Sequence, residues 1–290
     1  MSVEMQKLLS RLQAKSKYTR EKVFSYQEMI HSEQEAFVID LLTSHDGLKL
    51  NQAYEFLSKT FGSEMDDYEP IVNEWIFDLN IAYHAVSDWK GNVIAAANSS
   101  YLALDSSSPD AESILAVWYV AVDEEYRGRR LVNELYQSIY QFALDRAEQE
   151  NNNVKAIVGE ASHQDIQTIE QVLRREEIAR KRVYYEDEKG SVKEVPYVSP
   201  PLKWDFETGV PAEEAQANHL MIKLTNGQES IPAKELLQII TAIYRDSYFP
   251  KQEDFKDSNS HILAHKIVDS YLGTIGTALS EAKNGEVFLR

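Results

Sequence analysis

The sequence predicts an α/β fold, and three observations carry that expectation. Apolar, β-branched runs of strand length recur at 36–42, 81–86, 93–98, 114–122 and 154–159. Between them, apolar residues fall at helical spacing, as in Leu50, Tyr54, Leu57 and Phe61, or Leu131, Leu135, Ile139 and Phe142. Glycine, proline and short polar clusters punctuate the junctions.

Composition narrows the function. The chain has 290 residues, with 30 Lys and Arg against 47 Asp and Glu and a formal net charge of −17. A hydrophobic share of 43% with 27% charged residues belongs to a folded protein with a sizeable core. The negative field disfavours phosphate backbones and anionic lipid and favours amines, so neither a nucleic-acid nor a membrane partner is expected. The absence of cysteine excludes disulfides, thiolate nucleophiles and cysteine-ligated zinc. No apolar run of membrane-spanning length occurs, and the first six residues lack a secretion signal's basic-then-apolar pattern. A cytoplasmic protein is the expectation.

The elements follow in order. Apolar residues at Leu8, Leu9 and Leu12, then at Val23, Tyr26, Met29 and Ile30, predict two short amphipathic helices. Strand 36–42 ends in Thr43, Ser44, His45, Asp46 and Gly47, whose polar side chains suit the start of the helix that Gly62 closes. An acidic loop, Glu64 to Asp67, leads to a helical stretch around 72–77. Runs 81–86 and 93–98, joined by Asp88, Trp89, Lys90, Gly91 and Asn92, read as a hairpin. Run 114–122 has almost no polar residue, which predicts burial on both faces. A helix from about 129 to 150 follows, then strand 154–159, a helix over 164–183, and two late strands at 192–198 and 219–224. Beyond 226 the pattern is helical over 233–248 and 258–282, with a stripe at Ile262, Val268, Tyr271, Leu272, Ile275 and Leu279. This divides the chain into an N-terminal helical segment (1–35), a main domain (36–225) and a C-terminal helical extension (226–290), which packs on the core or across a homodimer interface.

The chemistry concentrates where run 114–122 meets the next helix, at Val120-Ala121-Val122-Asp123-Glu124-Glu125-Tyr126-Arg127-Gly128-Arg129-Arg130-Leu131-Val132. A buried strand passes through a short cationic, glycine-containing turn into a helix, whose first amides and positive dipole end suit phosphate. The familiar Gly-x-x-x-x-Gly-Lys-Ser/Thr and Gly-x-Gly-x-x-Gly loops are absent.

This junction resembles the acetyl-coenzyme A loop of the GCN5-related N-acetyltransferase (GNAT) superfamily, whose motif is Arg/Gln-x-x-Gly-x-Gly/Ala. The resemblance covers about 36–225 in element order and marks a divergent member. Arg127 matches the motif, while Arg130 and Val132 replace its two small residues. Arg130 either pairs with phosphate or blocks the approach that small residues allow. The resemblance implies a mixed, mostly antiparallel sheet flanked by helices, and acetyl-CoA as co-substrate with no metal. It implies cofactor contacts from Val120, Val122, Arg127, Gly128, Arg129, Arg130, Leu131 and Val132, the two valines through their main chain.

The family's frequent carboxylate within the long strand is missing here. Glu160, at the end of the neighbouring strand, is the candidate base, with His163 or water as alternatives. A Tyr-Glu-x-x-Gly context in the family carries the acid that protonates the leaving thiolate. Val183-Tyr184-Tyr185-Glu186-Asp187-Glu188-Lys189-Gly190 is similar with one added residue, which points to Tyr185 with Tyr184 as its rival.

The function implied is acyl transfer from coenzyme A to a small-molecule amine, the alternative being an inactive ligand-sensing or interaction module on the same fold. The acidic loop 64–67 lies on the family's acceptor side. Arg174, Arg175, Arg180, Lys181 and Arg182 form a basic patch that serves either the cofactor's 3′-phosphate or a solvated helix face. His261 and His265 have ligand spacing without a third ligand nearby in sequence, so packing is the expected role.

Overall fold

The computed structural model describes residues 21–27, 34–42, 47–62, 81–104, 112–162, 180–249 and 252–290. The helices expected near 8–12 and 72–77, the acidic loop 64–67, His163, Arg174, Arg175 and most of the helix over 164–183 lie outside the described residues. The chain forms two compact units.

The first unit holds strands β1 (Glu21–Gln27) and β2 (Gln34–Leu42), helix α1 (Gly47–Phe61), and strands β3 (Ile81–Ser87) and β4 (Val93–Ala103) as far as Tyr101. Strand β5 (Glu112–Val122) contributes Val117 onward, and helix α2 (Leu131–Glu150) completes the unit. β1, β2, β3 and β4 pair antiparallel in chain order. β1 corrects the expectation of a second N-terminal helix. The Val23–Tyr26 spacing fits a helix, but Val, Phe and Tyr are strand formers, and pairing of the whole of β1 with β2 prevails.

Alternation along β3 explains how both faces of this sheet are covered. Tyr83 and Ala85 join Leu42, Ala96 and Ala121 in a cluster with Leu50, Ala53, Tyr54 and Leu57 of α1. His84 takes the opposite face, where it meets Ser138 and Phe142 of α2. The hairpin between β3 and β4 is held by Asp88, whose Oδ1 accepts from the Lys90 and Asn92 amides at 2.8 and 2.9 Å. Gly91 supplies φ +85°.

The second unit begins with Leu102–Ala116 and contains β6 (Asn153–Ser162), β7 (Lys181–Asp187), β8 (Val192–Glu194), β9 (Val198–Ser199), β10 (Trp204–Asp205), β11 (Val210–Pro211) and β12 (Gln216–Leu224). It closes with β13 (Ser230–Pro232), helices α3 (Ala233–Ser247) and α4 (Ser258–Ser280), and β14 (Ala282–Leu289). Residues Glu112–Ala116 of β5 run parallel to β6, and β12, β7, β14 and β13 extend the sheet with antiparallel pairs. The whole is the mixed α/β, mostly antiparallel arrangement the sequence implied.

Two late features correct the sequence reading. The C-terminal extension is not wholly helical, because β13 precedes α3 and β14 follows α4. The short helix-poor stretch Val287, Phe288, Leu289 pairs with Val183–Tyr185 after Asn284 and Gly285, both at positive φ, kink the strand. The α4 stripe is satisfied within this unit: Ala264, Val268, Ile275 and Leu279 are buried, and the helix packs on α3 and β14. Ile262 and Leu263 remain exposed. Among the described residues no helix is long and apolar enough to cross a membrane.

Candidate functional site

The junction after β5 is built by local hydrogen bonds. The Asp123 amide donates to the Ile94 carbonyl at 2.9 Å, tying the exit of β5 to the start of β4. The Asp123 carboxylate accepts from the Glu125 amide at 2.9 Å and so caps a single 3-10 turn over Glu124–Tyr126. Arg127 is then extended, Gly128 takes φ +86°, and Arg130 sits in the left-handed region at φ 58°, ψ 17° as the residue before α2. A Cβ on Gly128 would meet no atom within 4 Å, so its positive φ, and not space, calls for glycine.

No side chain caps the start of α2. Its first amides therefore keep their hydrogen-bonding capacity and the dipole's positive end. Arg127, Gly128 and Arg130 are exposed, and Arg129 lies over the Tyr126 ring at 5.1 Å. Arg127 touches Glu124 at 3.3 Å, a surface pair that holds it only weakly. Leu131 is buried and anchors the helix, while Val132 is half-buried. Val120 and Val122 are half-buried on β5. The register of β5 with β6 ends at Ala116 opposite Val158, and β5 runs on to Val122. The loop thus fits an anionic group: open backbone, the exposed side chains of Arg127 and Arg130, and a helix start without a side-chain cap.

Glu160 stands on β6 within the second unit, surrounded by donors that arrive from distant sequence. Tyr197 and Ser199 hydroxyls reach its two oxygens at 2.5 and 2.6 Å, and the Tyr248 hydroxyl lies 2.8 and 2.7 Å from them. Asn218 supports the cluster by donating to Ser199 at 2.8 Å. Burial raises the carboxyl above its ordinary value, outweighing the hydrogen bonds that favour the ionised form. Some of the residue's surface stays accessible. The Tyr197 phenol is pushed well up, first by burial and then by the Glu160 charge.

Tyr185 lies in β7, two strands from Glu160 across β12. It is buried, pairs with Val287 of β14 and Lys193 of β8, and has the Lys193 amine 5.9 Å from its ring. Burial raises its phenol, with Lys193 acting in the opposite direction. Tyr184 stacks on Phe288 at 6.4 Å. The Tyr-Glu-x-x-x-Gly segment is a strand and hairpin turn, in which Asp187 accepts from the Lys189 and Ser191 amides at 2.9 Å and Gly190 takes φ +80°. The helix expected as far as Val183 has given way to strand from Lys181.

The basic patch divides. Arg180 donates to the Val158 carbonyl at 3.2 Å, Lys181 pairs with Glu229, and Arg182 lies 3.4 Å from Glu194. His261 and His265 touch each other with ring centroids 4.3 Å apart, flanked by Phe255 and Phe249.

Sequence reasoning passed over a polar triplet inside β4. Asn98, Ser99 and Ser100 are all buried. The Ser99 hydroxyl is 3.4 Å from His84 Nε2, and Ser100 Oγ accepts from the Trp118 indole at 2.9 Å. Neither polar atom of Asn98 has a hydrogen-bond partner. Three polar residues following Ala95, Ala96 and Ala97 in a buried strand were the available signal.

Residues 50–170, from α1 past β6, match the model of the acetyltransferase (GNAT) family. That stretch carries the family resemblance the motif implied. Among solved structures, an aminoglycoside acetyltransferase, meta-AAC0020, from an uncultured soil metagenomic sample is 14% identical over 48% of this chain and 86% of its own, with a TM-score of 0.39. The aminoglycoside N-acetyltransferase AAC(6')-Iy in complex with CoA is 13% identical over 50% and 90% of the two chains, with a TM-score of 0.39. Arabidopsis thaliana NAA60 in complex with a bisubstrate analogue is 10% identical over 66% and 99%, with a TM-score of 0.42. No curated protein matches the chain.

Proposed function

We propose that this protein transfers an acetyl or other acyl group from coenzyme A directly to a small-molecule amine. The observation that carries the reading is the uncapped start of α2 behind the open Arg127–Gly128–Arg129–Arg130 turn, within the stretch matched by the family model. The amides of Leu131 and Val132 and the guanidiniums of Arg127, Arg129 and Arg130 hold the pyrophosphate. The main chain of Val120 and Val122 pairs with the pantetheine arm. Coenzyme A, when bound, supplies the activated thioester.

Transfer forms the N–C bond and breaks the C–S bond. Glu160, held above the ordinary carboxylate range, takes the proton lost by the amine, and Tyr185 returns one to the leaving sulfur. Arg130 stands where the family has a small residue and already adopts the backbone angles a glycine would take. Its substitution and the absence of a carboxylate between Ile114 and Val122 of β5 favour the second reading, a non-catalytic ligand-binding module.

Calorimetric titration of acetyl-CoA into the protein and into the Arg127→Ala/Arg130→Ala double variant tests the assignment. Micromolar binding that the variant weakens about tenfold or more is expected from two lost charge-assisted contacts. A folded protein that takes up no acetyl-CoA would leave only the module.

A further inference from the structure

A carboxyl is a poor choice for a purely structural tie, because taking its charge out of water is costly and hydroxyls can bond one another without it. Glu160 is nevertheless met by three hydroxyls, from Tyr197 before β9, Ser199 on β9 and Tyr248 after α3. The three donors lie with Glu160 in the second unit, and all of them lie beyond residue 170, where the match to the family model ends.

The donors differ in what they fix. Tyr197 binds one oxygen and Ser199 the other. Tyr248 spans both, at 2.8 and 2.7 Å, and so sets the plane of the carboxyl, whose terminal torsion has no sharp preference of its own. Three hydroxyl hydrogens against about four lone-pair sites leave one site able to take a proton. Part of the Glu160 surface stays accessible.

Tyr248 is itself held in place. Its amide donates to the Tyr244 carbonyl at 2.9 Å, and its ring meets the Tyr244 ring edge-on at 5.7 Å. Tyr244 is fully buried, meets Tyr197 edge-on at 6.0 Å and donates its hydroxyl to the Val198 carbonyl. The titratable groups facing Glu160 are thus the phenols of Tyr197, Tyr244 and Tyr248, with Tyr271 of α4 acting on Tyr244.

We propose that Tyr248 is a positioning residue for acyl transfer, its hydroxyl fixing the plane of the Glu160 carboxyl, so that the C-terminal extension completes the base. This deepens the acyl-transfer reading and rests on it. As the N–C bond forms and the C–S bond breaks, the amine's proton passes to the remaining acceptor site of Glu160. Tyr248 keeps its own proton throughout, and the leaving sulfur takes one from Tyr185.

The test follows coenzyme A release from acetyl-CoA by the full chain with a panel of small primary amines, from about pH 5 to 9, at a temperature where every variant stays folded. Tyr248→Phe should lower kcat about tenfold on the acid side, with the loss shrinking as pH rises and acetyl-CoA affinity unchanged. The amine's own ionisation is common to all variants, so the difference belongs to the enzyme. Tyr244→Phe loses a hydroxyl bonded to Val198 and not to Glu160, and should keep the parent's pH profile despite a lower melting temperature. Adding Tyr248→Phe to Glu160→Gln should cost nothing further, because the phenol acts through the carboxyl. A loss equal at every pH, the same loss in Tyr244→Phe, an additive loss in the double variant, or full activity in Glu160→Gln would overturn the proposal while leaving acyl transfer intact. A parent that binds no acetyl-CoA, or turns over none of the amines, would instead remove the acyl-transfer reading, and this one with it.

Discussion

The Tyr248 hydroxyl lies 2.8 and 2.7 Å from the two oxygens of Glu160, bridging a residue just past α3 to the end of β6. Tyr248 favours the ionised carboxylate, against the larger opposing effect of burial. Tyr248→Phe should therefore raise the Glu160 carboxyl further and lower stability by about 1–3 kcal/mol, read by urea denaturation near neutral pH. An unchanged midpoint would mean that the hydroxyl is equally well served by water.

The raised Glu160 carboxyl also fixes a pH dependence. A group whose value in the folded state lies above its unfolded value stabilises fully below the unfolded value and loses that contribution as pH rises through the folded one. The parent should lose stability relative to Glu160→Gln as pH climbs from about 4.5 toward neutrality. Parallel curves for parent and variant would show that the carboxyl titrates as it does in the unfolded chain.

His84 has the opposite sign. Burial lowers it to about 3, so it is neutral between Ser138 and Ser99 in the folded protein. Its contribution is present above the unfolded value near 6.5 and is lost as pH falls toward 3. Acid titration of stability should steepen by at most about 1.4 kcal/mol per pH unit in that window. His84→Gln should remove that component of the slope.

Arg130 occupies left-handed backbone without a glycine's freedom. Arg130→Gly should raise the stability of the folded protein by about 1 kcal/mol, measured by chemical denaturation. A loss of stability would show that the guanidinium holds the loop through contacts worth more than the strain.

Gly209 closes the turn between β10 and β11 at φ +74°, where a Cβ would stand 2.1 Å from the Ser260 carbonyl oxygen. The same turn is latched by Ser260 Oγ, which donates to the Glu207 carbonyl at 2.8 Å. Gly209→Ala should cost about 2–4 kcal/mol and expose the start of α4 to faster amide exchange. Protection at 258–262 equal to that of the parent would contradict a fixed latch.

What the sequence made legible was contiguous. The strand, turn and helix over 120–132 could be read because its function lies in one run of residues, and the stripe on α1 because helical spacing is local. The donors around Glu160 were invisible for the opposite reason: Tyr197, Ser199 and Tyr248 are 37, 39 and 88 residues away. β1 is not legible because the Val23–Tyr26 spacing of three fits a helix, and only the pairing with a partner strand overrides it. β14 was missed because Asn284 and Gly285 interrupt any periodicity before Val287.

The pairing of β14 with β7 also has a consequence on the ribosome. Val287 meets Tyr185, so one side of β7 waits for roughly a hundred residues of further translation before it is covered. At about 5–20 residues per second that interval is about 5–20 seconds, long enough for an open strand edge to meet another nascent chain. Yield of native protein in the cell should then depend on how well chaperones shield that edge until β14 emerges.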